Sequence, residues 1–408
     1  MAGTRVLDDR RSSPSGPGER FELPYRPEID GLRAVAVLLI VGFHVKLAGF
    51  RGGYIGVDIF FVVSGYLITR ILLRWIDGSS EPRLLSFWAR RVRRLVPALA
   101  MVVVVVLVIA VGYVFSPLRW EDLAKQGGAS ALYFSNVLFA RQATGYFEPS
   151  LDTSPFLHTW SLGVEEQFYL VWPLLFLLPA AIAKRSRQTA LRVLVGLLAG
   201  VTAASFALSL MLSQRGSPWA FYSSPTRAWE FGTAGLFAIF ASHRTLRSRS
   251  WLWLSWLGLI GIALATLRLD SSVQYPGIAA LIPVFGTIAL LVPGPDATRW
   301  GPSRALQWSP LRWIGRVSYV WYLWHWPLIV FAEAHRGADT QERLGAALLA
   351  LVLAAVTQRL IENPIRFSRQ LVASTHRSLF VGFAMTGVAV LTAASVAVDP
   401  VMSSAPQG

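Results

Sequence analysis

Residues 101–115 read MVVVVVLVIAVGYVF, a run without a single charge. Lipid offers a backbone no hydrogen-bond partner, so such a segment is stable there as a helix that satisfies its own N–H and C=O groups. A bilayer core about 30 Å thick needs roughly 20 apolar residues in that form. Extending the run back to Leu95 supplies them, and 95–115 is read as a transmembrane helix. The rest of the chain is written in the same way: 54% of its 408 residues are hydrophobic and 15% are charged, where soluble domains carry about 25%.

Reading outward from that helix gives candidate spans at 34–50, 56–76, 95–115, 158–183, 190–212, 226–242, 251–268, 276–293, 313–333, 343–362 and 378–398. The expected fold is an all-α integral membrane bundle of about eleven transmembrane helices. Residues 126–141, QGGASALYFSNVLFAR, are too short and too polar to span, and read as an interfacial or re-entrant helix. Loop charges set the orientation. With the N-terminus in the cytoplasm, the inside segments hold 27 Lys and Arg and the outside segments 10, a positive-inside bias. The C-terminus then lies outside. Residues 1–24 are polar, Arg-rich and broken by Pro14 and Pro17. They read as a disordered cytoplasmic tail rather than a signal peptide. Residues 25–398 form the membrane domain and 399–408 a short external tail.

The net charge of +15 sits in short clusters between apolar runs and is almost all Arg. That pattern orients a membrane protein and argues against a nucleic-acid binder. With no Cys there is no disulfide, thiolate metal site or Cys nucleophile. No Walker A pattern or dinucleotide fingerprint is present. No internal repeat is evident either, which weakens an inverted-repeat transporter. The tryptophans at 251, 253, 256, 308, 313, 321, 324 and 326 fit interfacial belts.

The informative residues are those that interrupt the apolar runs, because an ionisable group facing lipid costs at least about 2.5 kcal/mol. Arg33 opens the first span and His44 follows eleven residues later, about 16 Å along a helix. A neutral imidazole at that depth can accept a proton from a hydroxyl as a general base, or it can serve as packing glue. In the second span Asp58 lies near the outer end, where it is either wetted at the interface or orients His44. Ser64 and Gly65 read as small packing residues and Tyr66 as part of the same polar patch. Arg90, Arg91, Arg93 and Arg94 crowd the cytoplasmic start of the third span. They suit a phosphate-bearing donor or an anionic lipid headgroup equally. His158 and Glu165 share a helix face in the fourth span, and Glu165 beside Glu166 implies that one of the two is paired or protonated. His325 lies among aromatics in the ninth span, where Pro327 would kink the helix; packing alone would explain it. His243, His335 and His376 fall in loops. The His and acidic residues lie on different helices, so no metal site is expected.

Taken in order, YRPEIDGLRAVAVLLIVGFHV (25–45), GGYIGVDIFFVVSGYLIT (52–69), FWARRVRRLVPA (87–98), HTWSLGVEEQFYLVWP (158–173) and SYVWYLWHWPL (318–328) closely resemble the bacterial acyltransferase-3 family. The resemblance implies a multi-pass O-acyltransferase of the bacterial cytoplasmic membrane. Its donor would be acetyl-CoA or another acyl-CoA, and its acceptor a hydroxyl of an extracytoplasmic or lipid-linked glycan of the cell envelope. It places the family's Arg-x10-His motif on Arg33 and His44, and its Arg-x-x-Arg motif on Arg90 and Arg93, although Arg91 and Arg94 fit the spacing too. The family's essential acid falls on Glu165 or Glu166, with Glu166 favoured. A covalent acyl-His44 relay is a variant of the same chemistry. Arg33, Tyr66 and His325 are candidate oxyanion donors. The N-terminal motif resembles members that continue into an extracytoplasmic SGNH-type domain, so such a domain is expected as a partner or as a missing part. The rival function is a glycan or lipid transporter without acyl chemistry, which consumption of acyl-CoA would exclude. A plain membrane scaffold leaves the polar residues within the spans unexplained.

Overall fold

The computed structural model describes residues 25–144, 154–242, 249–270, 272–292 and 301–403. The tail at 1–24, His243 and the last residues of the 399–408 tail lie outside them, and so does the side chain of His335. The described residues are helical, with no strand among them. The principal helices are α1 (Pro27–His44), α2 (Gly56–Ile76), α3 (Leu84–Ile109), α4 (Trp120–Ala131), α5 (Ser135–Gln142), α6 (Trp160–Val171), α7 (Arg187–Gln214), α8 (Ser224–Ser242), α9 (Arg249–Arg268), α10 (Leu281–Leu291), α11 (Ser309–Arg336), α12 (Thr340–Thr357) and α13 (Thr375–Ser403).

Each expected span overlaps a helix, although α1 ends at His44 rather than at residue 50, and composition divides the helices. Among the described residues, six helical stretches are long and apolar enough to cross a membrane: Gly53–Ile76, Leu84–Val114, Leu157–Ala183, Arg187–Gln214, Thr340–Arg366 and Thr375–Ala397. Leu252–Arg268 and Ile278–Leu291 are apolar but shorter. The helices left out, α1, α8 and α11, carry Glu28, Asp30 and Arg33, then Arg227 and Glu230, then His325 among Tyr and Trp. Of these, Glu28, Arg227, Glu230 and His325 are buried in the protein interior. The chain is thus a membrane protein whose least apolar helices lie at its centre. Exposed Leu348, Leu349 and Val352 on α12 and Phe380, Phe383 and Leu391 on α13 form an outer surface suited to lipid.

Local chemistry sets several boundaries. Pro27 opens α1, where a missing N–H costs nothing, and Glu28 and Asp30 complement the positive end of the helix. Asp339 and Glu342 close a capping box at the start of α12. Helix α6 tightens into a 3-10 turn at Trp172–Phe176, where Pro173 interrupts the ladder, and resumes at Leu177–Ala183.

Helix α1 lies between α2 and α11, α3 packs on α13, and α8 packs on both α2 and α7. Glycine permits the tightest crossings. A Cβ at Gly56 would strike the Ala36 carbonyl of α1, and one at Gly65 would lie 2.6 Å from the Phe231 carbonyl of α8.

The polar segment at 126–141 forms two short helices joined by a turn. Helix α4 packs along α13, turns at residues 132–134, where Tyr133 has φ 57°, and returns as α5. Its tip meets the middle of α6. Gln167 donates to the Tyr133 carbonyl and to Asn136 Oδ1, both at 2.9 Å. Non-helical backbone at membrane depth is tolerated where protein satisfies it, and Gln167 does so here.

Candidate active site

The last residue of α1 meets the middle of α11. His44 Nδ1 lies 2.9 Å from His325 Nε2, and the two rings stack with centroids 5.1 Å apart. On its other side, His325 Nδ1 is 2.7 Å from the Tyr322 carbonyl of its own helix. A third imidazole completes the group: His158 stands edge-on to His325 at 5.7 Å, with its Nε2 3.2 Å from the Leu323 carbonyl. Pro327 explains that contact. It has no N–H to offer the carbonyl four residues back, which is that of Leu323, and His158 takes it up. His325 and His158 are buried, whereas His44 keeps part of its surface exposed. The Trp326 ring packs on His44 at 4.5 Å, and its indole N–H is tied to the Ser154 carbonyl at 2.8 Å.

A pocket lies beside this cluster; none of the three histidines lines it, and Ser161 and Tyr322 stand between. Its wall follows α2 from Val57 to Ile68, and its polar lining is Arg33, Ser64, Arg91, Arg94, Ser161, Glu165, Tyr169, Tyr319 and Tyr322. Tyr322 and Ser161 share a hydrogen bond of 2.7 Å, and the Tyr322 hydroxyl also reaches the His158 carbonyl at 2.8 Å. The pocket wall is therefore also the wall of the imidazole cluster. The other end is cationic. Arg33 stands among Arg94, Asp30 and Glu165, and Arg91 lies 4.7 Å over the Tyr169 ring. Glu165 accepts from both the Ser64 and Tyr169 hydroxyls.

Several predicted site residues face elsewhere. The pocket takes Arg91 and Arg94, not the pair Arg90 and Arg93. Arg93 turns toward α13, donating to Ser378 Oγ at 2.8 Å and to the Leu371 carbonyl at 3.3 Å. The carboxylate lining the pocket is Glu165; Glu166, one residue on, is not among the lining residues and stands near Arg91, Arg94 and Tyr133. Tyr66 lies at the arginine end, its hydroxyl accepting from Arg26 at 2.7 Å and Arg70 at 2.9 Å, which removes it from the oxyanion donors beside His44. Both ring nitrogens of His325 are engaged, so of the three candidate donors only Arg33 lines the pocket. Asp58 does not orient His44. Its carboxylate meets Arg227 at 3.1 Å and the Tyr275 hydroxyl at 2.5 Å. Ser64, read from sequence as a packing residue, is a pocket hydroxyl, while Gly65 is the packing residue.

Comparison with known proteins agrees with this architecture. The profile of the acyltransferase-3 family, described as an acyltransferase domain, matches residues 26–359. The chain belongs to this family. It is 34% identical over 360 residues to the peptidoglycan O-acetyltransferase OatA of Listeria monocytogenes, an alignment covering 85% of this chain and 57% of the relative. It is 32% identical over 359 residues to the putative peptidoglycan O-acetyltransferase YrhL of Bacillus subtilis, covering 84% and 55%. With the O-acetyltransferase OatA of Staphylococcus aureus the identity is 32% over 362 residues, covering 84% and 57%. The chain thus spans a little over half the length of these relatives. No solved structure matches it.

Beyond the predicted residues, the site region of this acyltransferase-3 member contains several that the sequence did not single out. Arg227, at the start of the expected span 226–242, is fully buried and ion-paired to Asp58 and Glu230, both also buried. Tyr319 and Tyr322 were indistinguishable from their aromatic neighbours in the sequence. Their period places both on the pocket side of α11, three residues apart on one face.

Proposed function

We propose that this member is an O-acetyltransferase that moves an acetyl group from acetyl-CoA to a hydroxyl of a cell-envelope glycan, with peptidoglycan the first acceptor to test. The arginine end faces the cytoplasm and the His44 end faces out, in line with the loop charges. One observation carries the reading: a single pocket joins Arg33, Arg91 and Arg94 to Tyr322 and Ser161, which bound the imidazole cluster. Guanidinium groups suit the phosphates of CoA. The names of the relatives favour acetyl transfer to a peptidoglycan hydroxyl.

His44 acts as general base. It takes the proton of the acceptor hydroxyl as that oxygen attacks the thioester carbon. The tetrahedral intermediate then collapses, the C–S bond breaks, and the imidazolium returns the proton to the departing thiolate. Arg33 is the pocket cation placed to stabilise charge on the donor side.

The test is release of free CoA thiol by the purified protein in lipid nanodiscs, with and without peptidoglycan fragments. His44→Ala is compared at matched folding and CoA affinity. Release by wild type alone supports the reading. If wild type consumes no acetyl-CoA with any acceptor, the chemistry is wrong and a transporter takes its place.

A further inference from the structure

The hydrogen bonds of the imidazole cluster have a direction. A carbonyl oxygen can only accept, so His325 Nδ1, 2.7 Å from the Tyr322 carbonyl, carries a proton. In a neutral ring the other nitrogen is then bare, and His325 Nε2 can only accept. Its partner at 2.9 Å, His44 Nδ1, is therefore the donor. His44 is left with its proton on Nδ1 and a lone pair on Nε2. A cationic His325 would reverse the last step. That ring is fully buried, however, and its two partners are a carbonyl and an imidazole, neither of which offsets a charge.

We propose that His325 is a positioning residue: it holds His44 in the Nδ1–H tautomer and so makes His44 Nε2 the atom that takes the acceptor's proton. The surroundings support this. Only His44 of the two retains exposure, so only His44 can meet a substrate. The Trp326 ring, anchored through Ser154, packs against the His44 ring and resists a flip that would put a ring carbon in place of Nδ1. The Tyr322 segment that fixes His325 is itself held by the hydroxyl bonds to Ser161 and the His158 carbonyl. His158 obeys the same rule: it donates from Nε2 to the Leu323 carbonyl, and its Nδ1 has no protein partner, as a bare nitrogen in a neutral cluster should.

The catalytic half of this inference rests on the acetyl-transfer reading; the tautomer does not. The test is therefore spectroscopic first. Protein labelled with 15N-histidine is placed in lipid bilayers, where solid-state NMR separates protonated from bare ring nitrogens and detects coupling across an N–H···N bond. His44→Gln identifies the relevant resonances. Wild type is expected to show His44 with protonated Nδ1, bare Nε2 and coupling to His325. His325→Phe keeps the ring shape but removes the acceptor. It should abolish the coupling, spread His44 over both tautomers and lower kcat by about 100-fold or more at unchanged KM, the scale of a general base. His325→Gln restores an acceptor near the lost Nε2, and should restore the Nδ1–H tautomer and activity to within about tenfold of wild type. A wild-type His44 with bare Nδ1, or with both nitrogens protonated, overturns the proposal. So does equal loss of activity in the Phe and Gln variants with the His44 tautomer intact. If the tautomer is found but no acetyl-CoA is consumed, the positioning stands and the acetyl-transfer reading falls.

Discussion

The four arginines at the start of α3 offer a sharp test, because the structure divides them by helix face. Arg91 and Arg94 line the pocket, and Arg93 is bonded to Ser378 and the Leu371 carbonyl. Removing one charged partner of a phosphate forfeits about 1.5–3 kcal/mol, which is roughly 10- to 150-fold in affinity. Arg91→Ala and Arg94→Ala should each weaken CoA binding by that factor. Arg93→Ala should leave the dissociation constant within about twofold. It should instead lower stability by about 1–3 kcal/mol, because the α3–α13 contact loses the donor to Ser378 Oγ, while the Leu371 carbonyl keeps only its bond from Ser378. The assay is calorimetric titration of CoA into the protein in nanodiscs, paired with thermal unfolding of the same samples. If Arg93→Ala weakened CoA binding as much as Arg94→Ala, with an unchanged unfolding midpoint, the division by helix face would be refuted.

Two further outcomes follow from the buried acids. Arg227→Met leaves Asp58 and Glu230 buried without their cation, so it should destabilise by about 3–5 kcal/mol; adding Asp58→Asn and Glu230→Gln should recover part of that loss in thermal unfolding. Glu165→Gln alters the pocket carboxylate that accepts from Ser64 and Tyr169, and should lower acetyl-CoA turnover by at least about tenfold. Glu166→Gln should cost less, and the reverse ranking would return the acid's role to Glu166.

The apolar runs made the helices legible, since every segment rich enough to cross lipid became one. That 126–141 is not one long apolar helix was equally readable, because its Gln, Ser and Asn residues are too polar to face lipid. Side-chain partners were not readable. His44 and His325 are 281 positions apart, and nothing local to either span announces that α1 packs on α11. The arginine cluster failed for a different reason. Four cations in five positions fan over an arc of about 160° of the helix, so spacing alone cannot say which pair faces inward. Arg227 was not singled out because it stands one residue inside its expected span, where a charge at the span's mouth and a buried ion pair look alike in sequence. Asp58 was drawn toward His44 by depth alone, and its true partner came from a helix in the middle of the chain.

Helix α1 runs without a break from Pro27 to His44, so the separation of Arg33 and His44 is set by covalent geometry: eleven residues, about 16 Å. An unbroken helix neither stretches nor contracts, and α1 thus works as a gauge. A donor that grips the arginines must have an arm of matching length to present its carbonyl to the imidazole. A small acetyl ester or acetyl phosphate cannot touch both marks at once. If the donor is acetyl-CoA as proposed, selection for its long, flexible arm is set by the spacing of two residues on one rod, independently of any contact made along it.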